Sequence, residues 1–250
     1  MLEFIAFAIV LAFIAILFYK QANEDFEILQ IDAERLQELP ILYADRSPIV
    51  VRGFPVPALG TREELSKRPH IYRMAVTPGV SLRDMAEGAA PSVQVSAKTA
   101  EFLSKESGLH IWFEHHVYKS LLPSQWTSAI YSFRTTLWPH RRGMYKTTAF
   151  QTVVMPTQGA VTVSLMLPKM IPYLPSKWEG REFSSLSAND TPLLNQIQFI
   201  DVLVRKGTLL LLPAHVLVNI APLLGSEGEG QGLPWIFHAE IHHPISRLAS

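Results

Sequence analysis

The sequence of 250 residues contains no cysteine. That removes a disulfide framework, thiolate-held zinc and a cysteine nucleophile at once, and it leaves the redox compartment open. An excess of one charge is also missing, since 22 Lys plus Arg balance 22 Asp plus Glu. No basic stripe breaks that balance locally, so nucleic acid is not expected as a partner. No Gly-x-Ser-x-Gly occurs to seat a serine nucleophile on a strained turn. The glycine-rich loop at 225–232 lacks a lysine or hydroxyl at the spacing of a phosphate cradle. No repeat of fixed period appears. What is present, at 48% hydrophobic content, is enough apolar sequence for one domain with a sizeable core and an appendage.

The appendage comes first. Residues 4–19 are apolar throughout, with Glu3 before them and Lys20 after. Such a run, at about 1.5 Å per residue, spans roughly 24 Å, workable for a hydrocarbon core of about 30 Å with interfacial flanks. A cleaved signal peptide wants a basic start and small residues before the cut, whereas this run starts at Glu3 and ends in Phe18-Tyr19-Lys20. The reading is therefore an uncleaved transmembrane anchor over 1–20, with a lipid bilayer as partner through residues 4–19. The chain is expected as a single-pass membrane protein, and Lys20 places the globular part, 21–250, on the cytosolic side.

Residues 28–140 read as a helical N-terminal part. Asp32 opens a short helix to residue 39, an extended run Ile49-Val50-Val51 ends at Gly53, and Thr61-Arg62-Glu63-Glu64 has capping-box spacing before a helix that Pro69 closes. Further helices are expected over 81–88 and 96–108, with a strand at 93–95 between them. Residues 109–118 read as a strand. Leu122, Trp126, Ile130, Phe133 and Leu137 recur at three or four residues and predict a helix with one apolar stripe. From 144 to 243 the pattern is that of a barrel core. Strands are expected at 147–155 and 160–167 around Thr157-Gln158-Gly159, then an excursion over 172–192, then the apolar stretch 199–220 turning at Lys206-Gly207 and breaking at Pro213. A last strand follows at 235–241.

Three pieces carry a resemblance: Pro48-Ile49-Val50-Val51-Arg52-Gly53-Phe54, the hairpin at Thr157-Gln158-Gly159-Ala160-Val161-Thr162-Val163 with Pro168, and the run from Val204 through Lys206-Gly207 to Pro213. In this order the chain resembles the cupin-like, JmjC-type double-stranded β-helix, over roughly 28–241. It is similar to cupin-like proteins with an N-terminal membrane segment that are encoded by large DNA viruses of algae and protists. The resemblance implies a mainly β fold with flanking helices (α+β), a jelly roll preceded by one transmembrane helix. It also implies a virion or a host internal membrane as the protein's place, and other proteins as partners.

Catalytic members of that fold hold Fe(II) with two histidines and a carboxylate, leaving sites for 2-oxoglutarate and oxygen. By the family's spacing those ligand positions fall on Lys146, Thr148 and Val218. An ammonium has no lone pair to give, a threonine hydroxyl is a weak ligand and valine is none. No histidine or carboxylate lies between Gly143 and Gly159. The expectation is a pseudoenzyme: no metal, no cofactor, and a structural, assembly or binding role.

Two other readings compete with it. One is an Fe(II)/2-oxoglutarate-dependent protein hydroxylase or demethylase with displaced ligands drawn from His215, His238, Glu240 and His242, or from His110, Glu114, His115 and His116. Against it, Trp235, Phe237, Ala239 and Ile241 form the apolar face of the last strand, which predicts the interleaved His238, Glu240 and His242 on the outside, in water. The other is a sugar- or lipid-binding module using Trp138, Trp178 and Tyr145. His140, Arg141, Arg142 and Lys146 make a cationic cluster at the mouth of the hairpin, fit to meet phosphate or a lipid headgroup.

Overall fold

A computed structural model of the chain describes residues 2–20, 27–89, 93–122, 129–139, 141–187, 189–223 and 234–249. An unbroken apolar run of good helix formers makes α1 (Leu2–Lys20). The chain then forms β1 (Leu29–Asp32), a 3-10 stretch, α2 (Leu39–Leu42) and β2 (Ile49–Arg52). Short helices α3 (Arg62–Ser66) and α4 (Pro69–Tyr72) precede a two-stranded ribbon of β3 (Ala75–Thr77) and β4 (Val80–Ser81), then α5 (Leu82–Ala86), α6 (Ala97–Ser107) and α7 (Leu109–His116). The strands β5 (Ser132–Pro139), β6 (Gly143–Lys146), β7 (Gln151–Gln158) and β8 (Ala160–Met166) follow. After an excursion come β9 (Ile200–Arg205), β10 (Thr208–Pro213), β11 (Leu217–Pro222), β12 (Trp235–His242) and α8 (Pro244–Ala249).

Local chemistry sets several boundaries. The Thr61 and Ser96 hydroxyls accept from the backbone N–H groups of Glu64 and Thr99, and Ser81 with Asp84 forms a reciprocal capping box. Pro69 opens α4 rather than closing the helix before it, as its preset φ allows. Gly108, in the left-handed region at φ +86°, ends α6 and starts α7. The segment expected as a strand is therefore helical. Leu109, Trp112, Phe113 and Val117 lie at three- and four-residue steps, and Leu109, Phe113 and Val117 are buried. The expected helix over 122–137 is in its last part strand β5. Thr135 and Leu137 face the helices, while Thr136 and Trp138 face the other way. The β-branched Thr135-Thr136 pair suits that pleat, and Trp126 lies outside the described residues. No strand forms at 93–95.

Two sheets build the body. The larger runs β1-β2-β10-β7-β12-β5 and the smaller β6-β11-β8-β9, so the chain from β5 to β12 passes repeatedly between them. Val154, Leu210, Leu212 and Ile236 of the larger sheet meet Val161, Val163, Leu165, Val218 and Ile220 of the smaller in one apolar core. The other face of the larger sheet, with Val153, Met155, Leu209, Leu211, Trp235 and Phe237, packs on Leu82, Met85, Leu103, Leu109 and Phe113 of α5, α6 and α7. Both faces of the central strands are thus covered, one by helices and one by a second sheet.

The expected fold class is corrected in two respects. The protein is not mainly β with helices added at the flanks, and a cupin-like double-stranded β-helix behind a transmembrane helix does not describe it. The described residues form a mixed α and β fold of three sheets whose helices supply a full layer of the core. Among the described residues, moreover, no helix is long and apolar enough to cross a membrane. The foot of α1 is committed to the domain: the Tyr19 hydroxyl donates to the Thr148 carbonyl at 3.1 Å, and the His215 ring nitrogen lies 3.1 Å from the Tyr19 carbonyl. Arg46 Nη1 also donates to the Phe18 carbonyl at 3.3 Å, and α1 packs on α8. The transmembrane, single-pass assignment and the localisation derived from it fall with this finding.

Candidate functional site

The mouth of the sheet pair lies where β5 turns into β6. A cavity of about 290 Å³ opens there, lined by Val95, Trp138, Arg141, Arg142, Tyr145 and Glu179 among others. Its wall is stitched by backbone. Met144 N–H donates to the Arg181 carbonyl and Gly180 N–H to the Met144 carbonyl, both at 2.8 Å. The close approach of residues 179–181 to β6 requires Gly143, which sits at φ +92° with no room for a Cβ against the Gly180 carbonyl.

Of the four cationic residues expected at this mouth, the structure brings Arg141 and Arg142 to the cavity. The Arg141 guanidinium carbon lies 4.1 Å from the centre of the Tyr145 ring and 5.0 Å from that of Trp138, a cation held on two aromatic faces. Among the described residues Arg141 has no carboxylate within ion-pair distance. Arg142 pairs with Glu182 through Nη1 at 3.2 Å, but its buried Nε–H meets no acceptor among the described residues. Lys146 does not line the cavity, and His140 lies outside the described residues. Trp178 is buried on the outer face of the smaller sheet with Met144, Met166 and Leu217 and does not line the cavity.

Pairing register shows why the counted metal positions do not converge. Lys146 pairs with Leu217 and Tyr145 with Val218 across β6 and β11. Directly opposed residues share a face, so Tyr145 and Val218 look between the sheets, with Ile220, whereas Lys146 looks outward with Leu217. Thr148 is exposed, its carbonyl taken by Tyr19. Thr147 between them staples the β10–β11 turn, its hydroxyl donating to the Pro213 carbonyl at 2.7 Å and accepting from Val216 N–H at 2.9 Å. These residues do not fit an iron centre. Among the described residues no group of three His, Asp or Glu side chains is placed to hold a metal.

The displaced-ligand candidates are scattered. His215, at φ +69° in the β10–β11 turn, stands against Tyr19 at the foot of α1. His110 stacks on Phe133 and shares a 2.8 Å hydrogen bond with Thr135, while Glu114, His115 and His116 are exposed on α7. The last strand holds the main surprise. Trp235, Phe237, Ala239 and Ile241 face the helices, so the alternate residues Ile236 and His238 face the space between the sheets. His238 is 2% exposed, not in water, and its Nε2 lies 3.4 Å from the Tyr145 hydroxyl.

Burial, aided by the charge of Arg141, presses the His238 pKa down to about 3, and burial pushes the Tyr145 hydroxyl up to about 12. For Glu240 burial acts upward but is outweighed by the nearby His242 ring and neighbouring positive charge, which hold it at about 2. With His238 neutral above pH 3, the pull on Glu240 comes from His242, at 3.6 Å, and from Arg141. An acid–base catalyst works best with a pKa near the operating pH. His238 and Tyr145 are tuned away from it in opposite directions. The site therefore holds fixed charges beside neutral hydrogen-bonding groups.

No protein-family model matches the chain, and neither does any curated protein.

Proposed function

We propose that this chain is a non-catalytic binding module that takes a small carboxylate-bearing ligand at the mouth of its sheet pair. The observation that carries this reading is the pair of arginines in one cavity: among the described residues, Arg141 is stacked on Trp138 and Tyr145 without an ion pair, and Arg142 has a buried Nε–H that meets no acceptor. A buried donor left unmade is costly, and a planar guanidinium is matched by a carboxylate that accepts two bonds at once. Glu179 on the same wall supplies an acceptor for a hydroxyl or ammonium group of the ligand. The sugar-binding alternative wants bare aromatic faces, and Arg141 covers those of both Trp138 and Tyr145. The displaced-ligand hydroxylase wants converging donors, which His215, His238 and the His110 cluster do not provide.

Titration calorimetry of the full chain with malate, 2-oxoglutarate and a sugar acid tests this. At least one is expected to bind, and Arg141→Ala is expected to weaken it by about 10- to 100-fold, the worth of a charge-assisted hydrogen bond of about 1.5–3 kcal/mol. Equal affinity in wild type and Arg141→Ala, or no binding by any of the three, would overturn the assignment.

A further inference from the structure

Helix α1 packs on α8, with Ala15 and Ile16 half-buried, and exposes large apolar side chains around the rest of its surface. Successive residues step round an α-helix by about 100°, and Phe4, Phe7, Val10, Phe13 and Phe18 are 78%, 61%, 54%, 61% and 64% exposed. A protein groove covers one face of a helix, whereas hydrocarbon covers every face that the domain leaves open. The charge-free run ends at a collar of aromatic and polar residues. Tyr19 makes edge contacts with His215 and His243, Tyr131 with His243 and Phe150, and Tyr43 with Phe150. Aromatic rings with one polar end gather at the boundary between acyl chains and headgroups.

Inside this collar is a cavity of about 140 Å³ lined by Tyr19, Tyr43, Arg46, Ser47, Phe150 and His243, among others. Three features mark it as built for an anion. Arg46 brings positive charge, and it does so from a left-handed backbone at φ +47° that favours glycine over a long side chain. The Tyr43 hydroxyl is buried and has no hydrogen-bond partner among the described residues. Among the described residues no carboxylate lines the wall, and burial lowers the His243 pKa, its Nδ1 accepting from Ser246 N–H. At about 30 Å³ per water the space equals a few waters, enough for one tetrahedral oxyanion.

We propose that this cavity takes the phosphate of a lipid headgroup while α1 dips into the acyl region of the same lipid surface, without crossing it. The Tyr43 hydroxyl and the Arg46 guanidinium, which also donates Nη1 to the Phe18 carbonyl, supply the donors, and the exposed face of α1 meets the acyl chains. The site lies at the foot of α1, apart from the mouth cavity, and does not depend on the ligand there.

Flotation of the full chain with vesicles tests it, using phosphatidylcholine alone and phosphatidylcholine with phosphatidate at about four to one. The chain is expected to float with both. It should bind the phosphatidate vesicles about fivefold more tightly, matching the roughly 1 kcal/mol that one basic side chain contributes near an anionic surface. Arg46→Asn keeps a residue tolerant of the left-handed backbone and is expected to abolish the preference while leaving flotation. Tyr43→Phe, which removes only the hydroxyl, is expected to reduce the preference. No flotation of the wild type, a preference unchanged in both variants, or concentration-dependent dimers that hide α1 from vesicles would overturn the proposal.

Discussion

Gly143→Ala is expected to destabilise the protein by about 2–5 kcal/mol, lowering the thermal midpoint by roughly 4–20 °C. Two costs add. A non-glycine residue in the left-handed region loses about 1–2 kcal/mol, and at Gly143 the φ is +92°. A Cβ built there would also lie 2.5 Å from the Gly180 carbonyl oxygen, so β6 and the residues 179–181 must part. Separating packed backbone costs about 1–3 kcal/mol more. Gly180→Ala is the control. Its φ of +78° carries the same backbone cost, but open space surrounds the added methyl, so a loss of only about 1–2 kcal/mol is expected. Thermal melts of the two variants separate the terms. Equal losses would mean that the close approach forming the mouth is not the constraint described above. Because the wall carries Glu179 beside Arg142, Gly143→Ala is also expected to weaken ligand binding under conditions where it remains folded.

Acid is expected to destabilise the protein earlier than its carboxylates alone would allow, because His238 is buried neutral. Its folded pKa is about 3, against about 6.5 in an unfolded chain. Between those values the unfolded state binds a proton that the folded state does not, so stability rises with pH across that window. The contribution is whole above pH 6.5 and is lost as pH falls, at about 1.4 kcal/mol per unit, approaching 5 kcal/mol near pH 3. From pH 6.5 to 5 the wild type should lose about 2 kcal/mol more than His238→Leu, which fills a similar volume and binds no proton. Urea denaturation at a series of pH values measures the difference. Asp190 and Glu240, both depressed by their partners, contribute only at lower pH. His243, lowered mainly by burial, adds a share common to both proteins. Parallel pH profiles would show that His238 is not held dry between the sheets.

The misplacement of His238 shows where sequence stops being informative. Alternation along β12 divides the strand correctly into Trp235, Phe237, Ala239 and Ile241 on one side and Ile236, His238, Glu240 and His242 on the other. Alternation does not say which side looks into the sheet pair. Here the more apolar side packs on helices, and the polar side enters the mouth. Register along β6 is set in the same way by partners distant in sequence. The family's spacing singles out Lys146, Thr148 and Val218, whereas pairing sets Tyr145 opposite Val218, and in a strand a step of one residue changes the face. Features fixed by neighbours in sequence were legible: the Thr61 cap, the helix starts at Ser81 and Ser96, the Gly159 hairpin turn and the Lys206-Gly207 turn. The helix α7 and the strand β5 were misassigned because eight-residue apolar runs carry too few periods to decide between helix and strand. The Arg141 and Arg142 part of the site was legible as charge, but its stacking on Trp138 and Tyr145 depends on the β5–β6 corner. That corner is set by long-range pairing with β11 and β12.

The account rests on a mouth that binds through arginine and aromatic contacts with no metal. The most direct test is titration calorimetry of 2-oxoglutarate or malate into the full chain, with a chelator and again with added Fe(II), followed by assay for carbon dioxide release. The account predicts the same dissociation constant in both conditions and no carbon dioxide. Binding that appears only with Fe(II), accompanied by turnover of 2-oxoglutarate, would contradict it.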